Sequence, residues 1–261
     1  MKKNIFLVVL IMGAFVSTAS SIDFMGPPTA SLNEGQVQIG YTYHWSKSDA
    51  TVDDIKIGDI ETTMKIDIDD IKVKRNYFTI NYGLASQRME VYGFLGSSNL
   101  ETEDFDSGSN FAIGTGIKIT TNINDNADWG ILFQASWISA DDSVSGAGVI
   151  DGDTISGRID TDIDAIELQG ALGPTIKITD DWKVYGGVFG YWIAGDVEAE
   201  FSGTINEEPG SLRLSGDLEC NGAIGGYIGM QIILYKNVVI TPEYEITENG
   251  EGIGGNISWR F

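Results

Sequence analysis

The sequence predicts an all-β fold, a transmembrane antiparallel up-and-down β-barrel of about ten strands, with eight or twelve as the alternatives. Three observations predict it. Apolar and polar residues alternate along most of the chain from Gly35 to Phe261, the connections alternate between long and short, and the tryptophans sit on one face near strand ends.

The alternation is clearest at the end of the chain. Ile253, Gly255, Ile257, Trp259 and Phe261 occupy one face, and Gly254, Asn256, Ser258 and Arg260 the other. A period of two marks a strand whose faces meet different surroundings. The same split runs from Leu218 to Leu234, longer than an ordinary strand of a soluble sheet. Read this way, strands are expected at 35–46, 75–84, 88–96, 110–120, 129–138, 165–178, 182–194, 218–234, 238–246 and 252–261. Every second connection between them is short, the sorting shown by membrane barrels with tight turns at one mouth and long loops at the other. The long first connection, Lys47 to Lys74, carries its own alternating isoleucines and reads as a hairpin standing above the membrane.

Trp45, Trp129, Trp137, Trp182, Trp192 and Trp259 all fall on the predicted outer face. Indole rings favour the membrane interface. Trp129 and Trp137 bracket one strand, and Trp182 and Trp192 another. At ~3.4 Å per residue and a tilt of about 40°, these spans rise roughly 21 and 26 Å, close to the ~25 Å apolar band of such barrels.

The first residues read as an export signal. Lys2 and Lys3 precede an apolar run from Ile5 to Val16, followed by small residues from Ser17 to Ser21. The run is short of the ~20 residues a spanning helix needs, and the pattern is that of a cleaved secretory peptide. The expected organisation is a signal peptide at 1–21, cut between Ala19 and Ile22, a periplasmic N-terminal tail at 22–34 around Pro27 and Pro28, and a barrel at 35–261. A single cysteine, Cys220, rules out an internal disulfide.

With these strands, girdles and final aromatic in view, the chain resembles the small outer-membrane β-barrel proteins of Gram-negative-type bacteria. The resemblance is architectural, covers nearly the whole mature chain and singles out no named family. It implies an integral outer-membrane location. It also implies lipid and lipopolysaccharide as neighbours, and outer-membrane insertion machinery that reads the terminal Trp259-Arg260-Phe261, with Phe261 as the signal.

The net charge of -22 excludes nucleic acid as a natural partner. Acids concentrate in the expected outer loops: Asp53, Asp54, Asp67, Asp69 and Asp70 in the first, Asp151, Asp153, Asp160, Asp162 and Asp164 in the third, Glu207 and Glu208 in the fourth. Clustered carboxylates offer oxygen ligands to loosely held divalent cations. No firm metal site follows, since Asp160, Asp162 and Asp164 lack the glycine and distal glutamate of an EF-hand loop. No cofactor is implied.

Inward parity places Arg88, Lys118, Lys177, Lys183 and Arg260 near the periplasmic ends of their strands, and Glu167, Glu219, Glu243 and Glu245 toward the outer half. Such charge rings can set ion selectivity; equally, these groups can pair with one another and with Glu90, Asp180 and Asp181 to seal a narrow barrel. Small inward residues, among them Ala112, Gly114, Gly116, Ala171, Gly173, Ala223, Gly225 and Gly229, leave volume for a water path. The first expectation is therefore a porin-like narrow channel for ions or small solutes. The alternative is a closed barrel that binds cations, lipopolysaccharide or another cell through acidic loops.

Catalysis has little to stand on, because His44 is the only histidine. His44 and Ser46 share a face, which resembles the His-x-Ser of some outer-membrane lipid hydrolases over two residues. Here, however, Tyr41, Tyr43 and Trp45 take the lipid side and His44 points inward. Outer-membrane proteases of similar strand number rely on a late histidine that this chain lacks.

Overall fold

The computed structural model describes residues 23–57, 60–61, 66–101, 107–150, 153–205, 208–235, 237–248 and 250–261. The expected signal peptide, 1–21, lies outside the described residues.

Each polar/apolar alternation becomes a strand. In order they are β1 (Val37–Ile57), β2 (Ile60–Glu61), β3 (Ile66–Ala85), β4 (Met89–Glu101), β5 (Asn110–Asn124), β6 (Ala127–Ile150), β7 (Asp153–Lys177), β8 (Trp182–Ile205), β9 (Glu208–Leu234), β10 (Val238–Thr247) and β11 (Gly250–Arg260). Sequential neighbours pair antiparallel, except that β3 pairs β1 and not β2. The sheet closes where β1 pairs β11, from Gln38 opposite Arg260 to Ser48 opposite Gly250. The result is a closed ten-stranded barrel, with β2 a two-residue return beyond the tip of β1. Closure leaves no free edge, which backbone in a membrane requires.

The outer face carries an apolar belt. Phe78 on β3, Phe133 on β6, Leu168 on β7, Val188 on β8 and Ile257 on β11 are all about half exposed or more. Five of the six tryptophans are exposed on this belt, and Trp45, half-buried, shares its face. Trp45 sits opposite Ile253 at the long-hairpin end, while Trp129, Trp182 and Trp259 begin or end strands at the short-turn mouth.

The strands are longer than the sequence suggests, and apart from a few residues on β5 and β6 at the short-turn mouth the surplus is at the long-hairpin end. About 9–11 residues cross a bilayer, yet β6, β7, β8 and β9 have 24, 25, 24 and 27. Residues 193–205 of β8 therefore rise roughly 30 Å past the girdle at ~3.4 Å per residue and the usual tilt. Over this height β9 pairs directly with β1, Val52 opposite Leu218 and Ile57 opposite Leu214, bypassing the short β10–β11 hairpin. The barrel narrows as it leaves the membrane.

Its contents change as well. Ile71, Val73, Leu100, Ile138, Ile163, Ile193, Val197, Ala199 and Phe201 point inward and are buried. This aliphatic layer seals the long-hairpin end. The same strands that face lipid outside their lower half face water outside their upper half, so the two faces exchange character without any change of parity.

Two expectations about the lumen are corrected. Of residues 23–34, expected as a tail beneath the barrel, residues 23–32 lie inside it. Met25, Ala30 and Leu32 are buried, because a glycine-rich inner wall leaves an apolar segment a place to escape water. Four of the inward glycines do not leave open volume either. A Cβ at Gly114 would strike the Phe94 ring, one at Gly116 the Tyr92 ring, one at Gly225 the Phe189 ring and one at Gly229 the Tyr185 ring; each of these four is the seat of an aromatic from the neighbouring strand.

Candidate functional site

The lumen is organised around the N-terminal segment. From the short-turn mouth upward, Gln87 donates its backbone N–H to the Leu32 carbonyl at 2.8 Å. The Ser31 N–H reaches Glu90 Oε2 at 3.0 Å, and the Ala30 N–H reaches Thr120 Oγ1 at 2.7 Å. The hydroxyls of Thr29 and Thr175 lie 2.8 Å apart. Higher up, Glu243 Oε1 accepts from Met25 N and Gly26 N at 2.9 and 3.2 Å. Extended backbone buried in a lumen must find such partners, and here four strands and the turn between β3 and β4 supply them.

At its top the segment meets a buried ion cluster. Arg75, 1% exposed, lies with Nη1 3.3 Å from Asp23 Oδ2 and donates from Nη2 to Glu167 Oε1 at 2.5 Å. Ser136 Oγ donates to Glu167 Oε2 at 3.0 Å, while Gln134 donates to the Asp23 carboxylate and Gln169 to its carbonyl. His44 Nε2 is 3.0 Å from Glu245 Oε2, both side chains fully buried. Ser46 is also fully buried on the same inner face. The His44/Ser46 pair is thus shut away from both lipid and bulk water.

The expected basic residues divide into two groups. Arg88, Lys177, Lys183 and Arg260 line a vestibule of about 640 Å³ at the short-turn mouth. Within it Lys177 bonds Asp180 at 2.6 Å, and Arg260 donates to Gln38 and Ser31 at 2.9 and 3.1 Å. The Lys177 ammonium holds the Asp180 carboxyl below its ordinary range through that hydrogen bond. Lys118 is higher and buried, opposite Glu90 in the β4–β5 register and 5.3 Å from the Tyr92 ring centre. Of the inward acids, Glu167, Glu243 and Glu245 are buried in the lumen; the side chain of Glu219 lies outside the described residues, as does that of Cys220.

Asp160, Asp162 and Asp164 are not in a loop. All three belong to the outward face of β7, and across the register stand Glu200, Glu198 and Asp196 of β8. Asp141 of β6 opposes Asp162 from the other side. Arg158 bonds Asp160 at 2.6 Å and Arg213 bonds Glu198 at 2.5 Å. Among the described residues, no three His, Cys, Asp or Glu side chains converge as a metal site. The side chains of Asp53, Asp54, Asp67, Asp69, Asp70, Asp151, Asp153, Glu207 and Glu208 lie outside the described residues.

Sequence reasoning missed Arg75 and Asp23, the centre of the ion cluster. Arg75 was read only as the first residue of a strand, and Asp23 lay in the supposed tail. The available signal was Arg75 alternating in phase with Tyr77 and Asn81 on an inward face.

A closed barrel with an apolar belt, tryptophans at both rims and a lumen filled by its own N-terminal segment defines an integral membrane β-barrel. No protein-family description matches the sequence, and none of the curated proteins does. Among solved structures, the chain is similar to the outer membrane protease OmpT from Escherichia coli at 9% identity and a TM-score of 0.48, covering 93% of this chain and 100% of that one. It is also similar to the translocator domain of the autotransporter NalP from Neisseria meningitidis at 11% identity and 0.47, covering 87% and 88%. The Pseudomonas putida toluene transporter TodX matches at 9% identity and 0.42, covering 95% and 97%. The activities named for those proteins are theirs.

Proposed function

We propose that this is an integral protein of the bacterial outer membrane, exported with loss of residues 1–21, whose barrel is closed and whose function lies at the long-hairpin end. The observation that carries this reading is the carboxylate ladder on β7 and β8. Three rungs, Asp160–Glu200, Asp162–Glu198 and Asp164–Asp196, set like charges directly opposite one another. That arrangement destabilises a sheet; Arg158 and Arg213 each offset one acid of the upper two rungs, and hard divalent ions favour the remaining oxygens. The lowest rung is the next outward pair above Ile166 and Ala194, at the height of lipid headgroups. A divalent ion there can bridge the barrel to a lipopolysaccharide phosphate.

The test is the thermal unfolding of vesicle-reconstituted protein with and without millimolar Mg²⁺, followed by the mobility shift of folded barrels in gels. The melting temperature rises for the wild type, and the rise disappears in D162N/E198Q. An equal response in both proteins would remove the ladder from the account.

A porin-like channel is the second reading, favoured by the basic vestibule. It needs the N-terminal segment and the aliphatic layer to move together. Single-channel recording separates the two: a closed barrel is silent, whereas discrete selective steps that change when Lys118 and Arg260 are replaced by glutamate support the channel. Burial of His44 against Glu245 supports a structural role over hydrolysis. An esterase activity lost in H44A would reverse that. Phe261, 71% exposed at the end of β11, is accessible to the insertion machinery.

A further inference from the structure

The vestibule of about 640 Å³ at the short-turn mouth is lined by Arg88, Lys177, Lys183 and Arg260, and its size is that of a small-molecule site. Its cations crowd one another. Lys183 stands directly opposite Lys177 in the β7–β8 register, a like-charge pair that works against the sheet. Arg260 is also near enough to repel Lys183. The acids in the same space do not cancel this. Asp180 is already bonded to Lys177 at 2.6 Å, and Asp125 is exposed at the turn between β5 and β6. Asp128, whose Oδ1 accepts from Asn122 at 3.0 Å, attracts Lys183 without closing an ion pair. Arg88, Lys183 and Arg260 make no ion pair among the described residues.

Arg260 is held in place and not neutralised. Its Nε donates to Gln38 Oε1 and its Nη2 to Ser31 Oγ, both uncharged acceptors. A guanidinium has five N–H donors, so these contacts fix the group and leave donors over. Ser31 belongs to the N-terminal segment and lines both the vestibule and the lumen cavity above it. The segment is therefore the ceiling against which the guanidinium is set.

We propose that the vestibule binds a small oxyanion, the phosphate or carboxylate group of a solute, between Arg260 and Lys183. An oxyanion there is attracted from both sides and removes the repulsion between the two cations. The planar fork of arginine matches paired oxygens, and lysine adds a point charge. Arg88 adds positive potential to the same space. In an outer membrane the short turns face the periplasm, so the solute is a periplasmic one. The site lies at the opposite end of the barrel from the carboxylate ladder and does not depend on it.

The test uses the folded protein in detergent micelles, in sodium phosphate, sodium acetate or sodium chloride of equal ionic strength. Each sample is treated with an amine-reactive reagent. Peptide mass spectrometry compares the rate at Lys183 with that at Lys72, which is exposed on β3 toward the long-hairpin end. Over a phosphate titration, Lys183 should slow about twofold at the Kd and about fivefold at about four times the Kd, because only the unoccupied fraction reacts. Lys72 should stay unchanged. Protection by acetate in place of phosphate assigns the site to carboxylates, by phosphate alone to phosphate groups, and by both to either. R260Q should abolish the protection. K183Q, which leaves the C-terminal strand intact, should weaken phosphate binding at least about tenfold by calorimetry, the loss of one charge-assisted hydrogen bond. Equal Lys183 rates in all three salts, or a slowing that R260Q leaves intact, would overturn the inference without touching the ladder.

Discussion

Arg75 is the residue on which the interior turns. Its guanidinium is shared by Asp23 and Glu167, and all three side chains are nearly or fully buried. Removing one partner of a buried ion set costs about 3–5 kcal/mol, because the remaining charges lose their compensation. R75M should therefore lower the denaturant midpoint strongly, whereas R75M/D23N/E167Q should recover much of the loss; equal midpoints for the single and triple variants would show that charge is not the cause. At this scale the sequence was legible in parity and illegible in partnership. The inward direction of Glu167, Glu243, Glu245 and Lys118 follows from alternation alone. That Glu167 meets Arg75, 92 positions away, depends on the stagger around the barrel, which alternation does not encode.

Among the elements, the N-terminal segment was the least readable. It has no period, since it contacts the inner walls of several strands rather than lying between a lipid face and a lumen face. Pro27 and Pro28 suggested a tail, yet prolines also suit a threaded segment, where no ladder asks for their missing N–H. Gly130 on β6 tests this packing, because a Cβ there would lie 2.5 Å from the Pro28 carbonyl. G130V should unseat the segment while leaving the barrel closed. Thr175, which is buried against Thr29, reports the change. In a C220S background, T175C should be nearly inert to a thiol reagent and should react at least about tenfold faster once G130V is added, as a locally opened site does. No acceleration would mean that the segment is held by its hydrogen bonds and not by its fit. The strand extensions were misread for a related reason. Acids at every second position on β7 resemble a loop when the inner face, Thr161 and Ile163, is taken as incidental, but they are the watered side of a strand whose other side is packed.

The molecule as a whole is two barrels on one set of strands. The lower has lipid outside and polar groups, tyrosines and a plug inside. The upper has water outside and an aliphatic layer inside. Each therefore draws its stability from a different source, bilayer burial for one and a core of soluble-protein type for the other, and they should fail separately. Phe201, 4% exposed, is buried high in the upper part with its ring over Gly157 and Gly203. A Phe→Ala change in such a core costs about 3–5 kcal/mol, a loss that falls on the upper strands and not on the lipid-embedded ones. F201A in vesicles should accordingly become sensitive to an external protease between β8 and β9, yielding two fragments, with the cut in the range 195–217. The membrane portion should keep its folded gel mobility and its normal melting temperature. If F201A instead lowered the melting temperature of the entire barrel and no discrete cut appeared, upper and lower parts would form one cooperative unit. The aliphatic seal would then be a continuation of the membrane barrel, bound to open and close with the N-terminal plug.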